Sequence, residues 1–221
     1  MEWHGKTSGW GYTKESVEAH DNATLIYGYL ASKGWTLNAV CALLGSIDVE
    51  GLYNPWQWEN DQPLASTDTY LIEHSAVHGY GLIGFTPSGN YINSPISQSS
   101  PYYAPHFSDI MGSPSDGYAQ LLFIDEWEHT YYPSPEYPMT YAEFKSSTAD
   151  VRYLALVWTD NAENPAMDRP PEDPGFLNRR QDAAAYWYRE LGGVDPPGPG
   201  PGPSPSIASK MPLWFYLKKI F

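Results

Sequence analysis

Residues 37–55 read LNAVCALLGSIDVEGLYNP and, together with GYGLIGFTP at residues 79–87, they decide the fold of this chain. The first stretch predicts a helix that begins near Thr36 and ends at Glu50, because Gly51 and the Asn-Pro pair that follows stop it. Its apolar residues recur at helical spacing, at Leu37, Val40, Cys41, Leu44 and Ile47. The pattern therefore places one carboxylate at a helix C-terminus, beside an aromatic loop and a glycine-rich strand.

Glu50 is the strongest candidate for a catalytic group. The negative end of the helix dipole disfavours its charged form. Tyr53, Trp56 and Trp58 follow closely, and their rings are expected to exclude water from the carboxyl. Both effects raise the pKa of a carboxyl and keep a proton on it near neutral pH, which suits acid catalysis on sugars. The alternative is a solvated glutamate at a helix end.

These residues resemble the lysozyme-like domain of phage tail peptidoglycan hydrolases. The family pattern has Gly-Asn-(x)3-Glu at the end of a helix, then Asn-Pro, then Gly-x-Gly-Leu-x-Gln-Trp-Thr-Pro. The matching residues are Gly45-Ser46, Glu50, Asn54-Pro55 and residues 79–87. Two positions that normally line the sugar cleft differ, with Gly84 in place of Gln and Phe85 in place of Trp.

The resemblance covers roughly residues 22–191 and includes a C-terminal pattern. Glu163-Asn164-Pro165 resembles the family's Glu-x-Pro, and residues 180–188 resemble its final Arg-(x)3-Ala helix. The family implies a mainly α (α+β) fold, a lysozyme-like helical domain with a small β-hairpin lobe around residues 79–85. A cleft is expected between the two lobes.

The activity that the resemblance implies is cleavage of the β-1,4 bond between N-acetylmuramic acid and N-acetylglucosamine. Glu50 would protonate the glycosidic oxygen, and a second carboxylate would activate water or stabilise the sugar cation. Asp61 resembles an acidic position in the family's equivalent loop and is the candidate for that role. Glu59, Asp68 and Glu73 remain open.

Five residues are predicted to contact substrate. Aromatic rings offer apolar platforms to sugar faces, although ordinary cores use them as well. A threonine before proline could position a water or a sugar hydroxyl, or could be purely structural. The five are Asn54, Trp58, Tyr80, Phe85 and Thr86.

Composition narrows the possible partners. A net charge of −14 argues against nucleic-acid binding, which requires a basic face, and suggests that something else delivers the protein to the wall. The single cysteine, Cys41, allows no intrachain disulfide and is expected to be buried and inert. His74 and His78 are four apart but lack an obvious third ligand, so no metal or cofactor is expected.

Further helices are predicted at residues 21–33, 115–129, 147–160 and 178–191, with a capping box at Thr140 and Glu143. Residues 1–20 are interpreted as an N-terminal extension and residues 21–193 as the catalytic domain. A Pro/Gly-rich linker at residues 194–209 precedes a hydrophobic docking segment at residues 210–221.

The segments also predict how the protein reaches its substrate. The N-terminus lacks the apolar run of a secretory signal, and no stretch is long enough for stable membrane insertion. Synthesis in the host cytoplasm and assembly into a phage tail are therefore expected. The partners would be bacterial peptidoglycan and, through the C-terminal segment, phage tail proteins. A lytic transglycosylase and a non-enzymatic tail or wall-binding protein remain as alternatives.

Overall fold

The computed structural model describes residues 2–7, 9–59, 77–92, 112–126, 131–163 and 174–193, and in these ranges the fold is mainly α-helical, as predicted. The elements are α1 (Val17–Ser32), α2 (Leu37–Glu50), α3 (Gly89–Ile92), α4 (Pro114–Asp125), α5 (Tyr141–Ser146), α6 (Val151–Trp158), a π-helix (Thr159–Glu163) and α7 (Pro174–Glu190).

Local capping signals set the helix starts. The Ser16 hydroxyl accepts a hydrogen bond from Ala19 N at 3.2 Å, so α1 begins four residues before the predicted position. Thr36 caps α2 in the same way. The capping box at Thr140 and Glu143 is confirmed, since each side chain bonds the backbone N–H of the other residue.

Helix α2 is the central element of the core. It packs against α1, α6 and α7, and its residues from 39 to 48 are all buried. A helix enclosed on most sides is apolar around most of its circumference, which explains why its apolar residues extend beyond one stripe. A Cβ atom added at Gly45 would clash with the carbonyl oxygen of Arg180, so glycine lets α2 and α7 approach closely there.

The predicted β-hairpin lobe is not seen. Among the described residues, strand pairing is limited to isolated bridges, Trp58 with Tyr80 and Tyr80 with Phe85. Tyr80 and Phe85 exchange both backbone hydrogen bonds, at 3.2 and 2.9 Å, around a tight turn whose two glycines have positive φ. The loop closes at once, so residues 79–87 form a tight turn, called the glycine turn below.

The N-terminal segment, residues 2–16, lies along the loop that follows α2. Two buried asparagines each form two hydrogen bonds, through the side-chain amide, to the backbone of one residue in this segment. Asn22 accepts from His4 N at 2.8 Å and donates to His4 O at 2.6 Å. Asn54 accepts from Lys6 N at 3.1 Å and donates to Lys6 O at 3.0 Å.

The same segment also reaches the core. Trp3 is only 6% exposed and packs edge-to-face on Tyr118. Its indole ring also lies directly against Gly117, where any side chain would clash with it. Tyr12 N donates to Leu52 O at 2.6 Å. The predicted linker and docking segment, residues 194–221, lie outside the described residues. Within the described part of the chain, no helix is both long and apolar enough to cross a bilayer.

Candidate active site

Glu50 occupies the last position of α2, with 33% of its side chain exposed. One of its oxygens, Oε1, accepts a hydrogen bond from Arg180 Nη2 at 2.5 Å. The glycine turn covers its other side, because a Cβ added at Gly84 would lie 3.3 Å from Glu50 Oε2. The carboxyl therefore stands between a guanidinium and a bare stretch of backbone, and it remains accessible to solvent.

The loop directly after Glu50 is strained. Leu52 and Tyr53 have φ values of +46° and +58°, a region that non-glycine residues rarely adopt. Such backbone costs on the order of 1–2 kcal/mol per residue and persists only where neighbours hold it. The Leu52 carbonyl is held by Tyr12 and the Tyr53 carbonyl by the Asn22 amide at 2.8 Å. The N-terminal segment and α1 thus fix the loop next to the carboxyl.

Tyr53 anchors this loop in the core. Its hydroxyl donates to Asp48 Oδ1 at 3.0 Å and accepts from Trp187 Nε1 at 2.7 Å. Burial, with the Asp48 carboxylate nearby, raises the pKa of Tyr53 well above its usual value, so the hydroxyl stays protonated. Asp48 in turn binds Arg179 at 3.0 Å. These contacts make the loop a rigid support for Glu50.

Arg180 joins two carboxylates. Its side chain is only 2% exposed, and its guanidinium contacts Glu50 through Nη2 and both Glu163 and Ser46 through Nη1. Glu163 is itself oriented by Trp158, whose Nε1 donates to Glu163 Oε1 at 3.0 Å. A neighbouring guanidinium favours the ionised form of a carboxylate, which opposes the two effects expected from the sequence.

Three of the predicted substrate contacts are buried rings. Trp58, Tyr80 and Phe85 are 1%, 0% and 2% exposed. Trp58 and Tyr80 pack on each other with ring centroids 4.7 Å apart, and Phe85 stacks on Tyr91 at 4.9 Å. In this arrangement the rings support the glycine turn from below, and their stacking on sugars stays a prediction.

The other two predicted contacts differ in exposure. Asn54 is fully buried and holds the N-terminal segment through Lys6. Thr86 is exposed, and its hydroxyl donates to Gly84 O at 2.7 Å, beside the turn that covers Glu50. Contact with substrate stays a prediction for both residues.

The second carboxylate is not identified. Asp61, Asp68 and Glu73 lie outside the described residues. Glu59 is described, and its Oε2 accepts from Gly79 N at 2.8 Å and lies 3.9 Å from His78 Nδ1. Glu59 therefore fastens the start of the glycine turn.

Comparison with known proteins decides the family. The sequence model of the phage tail lysozyme family matches residues 21–191, most of the chain. The chain belongs to the phage tail lysozyme family. Morphogenesis protein 1 of Bacillus phage B103 is 30% identical over 179 residues, which cover 80% of this chain and 41% of that relative. The chain thus spans less than half of the length of this relative, and the family suggests a lysozyme-like peptidoglycan hydrolase of a phage.

The domain also contains a buried hydrogen-bonded cluster around one carboxyl group, which the sequence did not reveal. Asp116 is fully buried and accepts hydrogen bonds from Tyr80 Oη at 2.5 Å, Tyr91 Oη at 2.7 Å and Gln120 Nε2 at 3.2 Å. Burial raises its pKa to about 6, against the opposing effect of these donors. Gln120 also accepts from Leu82 N at 2.9 Å, so the cluster holds the glycine turn in place.

The cysteine and the possible metal ligands of the domain are the other reactive candidates in the sequence, next to Glu50. Cys41 is buried, as predicted, and burial raises the pKa of its thiol. Within the described ranges, no three His, Cys, Asp or Glu side chains are placed to hold a metal ion.

Arg180, Glu163 and Asp116 are the residues that sequence reasoning missed. Arg180 and Glu163 stood in the family-like C-terminal pattern, but nothing in that pattern indicated that they meet Glu50.

Proposed function

We propose that this chain is a virion-associated peptidoglycan hydrolase that cleaves the N-acetylmuramic acid–N-acetylglucosamine β-1,4 bond. It would open the host wall locally so that phage DNA can pass. One observation carries the proposal. Glu50 is a partly exposed carboxyl at a helix end, held by a buried arginine and flanked by Gly84, which has no side chain. The family match supports the coarser statement, a lysozyme-like activity on peptidoglycan.

The geometry suggests how Glu50 would act as a general acid. Arg180 holds Oε1, while Oε2 is the oxygen beneath Gly84. We therefore place the transferable proton on Oε2, which would approach the glycosidic oxygen from the side of the glycine turn. We expect the absence of a side chain at Gly84 to help a sugar approach Oε2. Asp61 or a neighbouring carboxylate would activate the water or stabilise the sugar cation.

Delivery is part of the proposal. The acidic chain would not adsorb to a wall through positive charge, so we place it in the phage tail, carried to the wall by the particle. The apolar residues 210–221 would dock on other tail proteins, and the Pro/Gly-rich residues 194–209 would act as the spacer. The match to a phage morphogenesis protein supports a place in the virion.

The test is digestion of purified peptidoglycan, with the products identified by mass spectrometry. Glu50→Gln should lower the rate by roughly 10²–10⁴-fold, since it removes the general acid and keeps the shape of the side chain. Glu190→Gln is the matched control, because Glu190 is likewise the last residue of its helix and is exposed. Full activity of the Glu50 variant would refute the assignment.

The products also separate the mechanisms. A reducing-end muropeptide indicates hydrolysis, and an anhydro sugar indicates a lytic transglycosylase. Asp61→Asn should reduce hydrolysis strongly, with Asp68→Asn and Glu73→Gln tested in parallel. If all three variants are fully active and anhydro products form, transglycosylation replaces hydrolysis. If the wild-type chain yields no product, the protein is a binding module.

A further inference from the structure

Glu50, Arg180 and Glu163 form one charged unit. The guanidinium is almost completely buried, the Glu163 side chain is 14% exposed, and the Glu50 side chain is the most open of the three. Both carboxylates therefore contact the Arg180 guanidinium. Glu163 is the carboxylate behind the arginine, on the side away from solvent.

We propose that Glu163 is a positioning residue that acts through Arg180, and that by sharing the arginine's charge it lets Glu50 keep its proton during catalysis. This inference rests on the proposed function of Glu50 as a general acid. Glu163 itself would touch no substrate.

The argument starts from the charge balance. If Arg180 faced Glu50 alone, its full positive charge would hold Glu50 ionised at the pH at which an acid must be protonated. Glu163 forms an ion pair with the same guanidinium, so its negative charge offsets part of the positive charge that Glu50 experiences. With both carboxylates ionised the unit carries a net charge of about −1, and taking up a proton on Glu50 relieves it.

Other charged groups near this unit, among the residues that the structure describes, have partners of their own. On α2 and α7 the next charged groups are Asp48 and Arg179, and these two bind each other at 3.0 Å. The glycine turn at residues 81–84, which covers the other side of Glu50, carries no charged residue. Among these neighbours, Glu163 is therefore the group that sets how strongly Arg180 attracts the Glu50 carboxylate.

The local fold presents Glu163 to Arg180. Helix α6 continues into the π-helix Thr159–Glu163, and such widened turns are frequent at functional sites. Glu163 is the last residue of this turn, and the buried indole of Trp158 holds one of its oxygens. The other oxygen is thereby directed at Arg180.

The experiment measures the pH dependence of peptidoglycan cleavage by the full chain and by Glu163→Gln. Removing the Glu163 charge should move the alkaline limb of the activity profile down by on the order of one pH unit, with activity kept on the acid side. Asp182→Asn is the control, because it removes one negative charge from the same helix at an exposed pair with Arg152. Its alkaline limb should coincide with that of the wild type.

A second readout does not depend on activity. Carbon-13 NMR of glutamate carboxyl groups follows the titration of Glu50, assigned by the signal that Glu50→Gln removes. Its midpoint should fall in the Glu163→Gln variant and stay unchanged in Asp182→Asn. Glu163→Asp keeps the charge but draws it back from Arg180 by one methylene, so a smaller shift in the same direction is expected.

Each outcome decides something. If the midpoint of Glu50 is the same in the wild type, Glu163→Asp and Glu163→Gln, the inference is overturned. A merely structural role would lower the rate at every pH and leave the midpoint in place, and this result would overturn it as well. A chain that cleaves no peptidoglycan yet shows the titration shift would refute the proposed function and leave the charge sharing intact.

Discussion

Replacing Asp116 with asparagine is expected to remove a pH dependence of stability that the wild-type chain shows between about pH 4 and pH 6. In the folded protein the pKa of this buried carboxyl is raised from 3.8 to about 6. A carboxyl whose pKa is raised by folding contributes stability that is fully present below about pH 4 and is lost as the pH rises through about 6. A rise of roughly two units corresponds to about 3 kcal/mol of unfolding free energy.

The assay is urea unfolding of both proteins at a series of pH values from about 3.5 to 7.5. The unfolding free energy of the wild type minus that of the Asp116→Asn variant should fall by about 3 kcal/mol across this range. Taking the difference cancels the titration of groups that both chains share. Tyr91→Phe removes one of the donors that favour the ionised form of Asp116, which should raise the pKa of Asp116 further. In this variant the fall in unfolding free energy should therefore continue above pH 6.

The result that would refute the reasoning is a difference that stays flat, or rises, between pH 4 and pH 7. A flat difference would mean that water or a counter-charge reaches Asp116. In that case the glycine turn would not be seated on a dry, buried cluster.

Two further changes test the packing and the domain boundaries. Gly45→Ala should lower the unfolding free energy by about 1–3 kcal/mol, because its Cβ would clash with the Arg180 carbonyl. Gly28→Ala in α1 faces open space and should raise the unfolding free energy by up to about 1 kcal/mol. Denaturant titration measures both, and equal effects would contradict the crossing of α2 and α7. Deleting residues 194–221 should leave the activity of the purified enzyme unchanged but prevent its incorporation into phage particles. A loss of thermal stability on this deletion would show instead that these residues belong to the core.

The sequence predicted best what local interactions control. The start of α2 at Thr36 and its end at Glu50 follow from a capping hydroxyl and a helix-stopping glycine, both within a few residues of the helix. The β-hairpin lobe was predicted from the resemblance. The described residues do not show it, and in them Gly81 and Gly84 close the turn within four residues.

Contacts between distant segments could not be predicted. Arg180 follows Glu50 by 130 residues, and neither residue carries a local sign of its partner. The aromatic residues near Glu50 illustrate a second limit. Trp58 and Phe85 have the composition of a sugar-binding surface, but a ring that packs in a core has the same sequence signature. The buried Asp116 was missed for the same reason, since burial is a property of the folded chain.

The N-terminal segment has a practical consequence for the use of this domain. The family match begins at residue 21, yet Trp3, His4, Lys6 and Tyr12 supply bonds or packing to residues on the far side of that boundary. A chain trimmed to the family limits would lose the bonds that the amides of Asn22 and Asn54 make to the backbone of His4 and Lys6. It would also release the carbonyl of Leu52, two residues from the catalytic candidate. A shortened version of this domain should therefore retain the first sixteen residues.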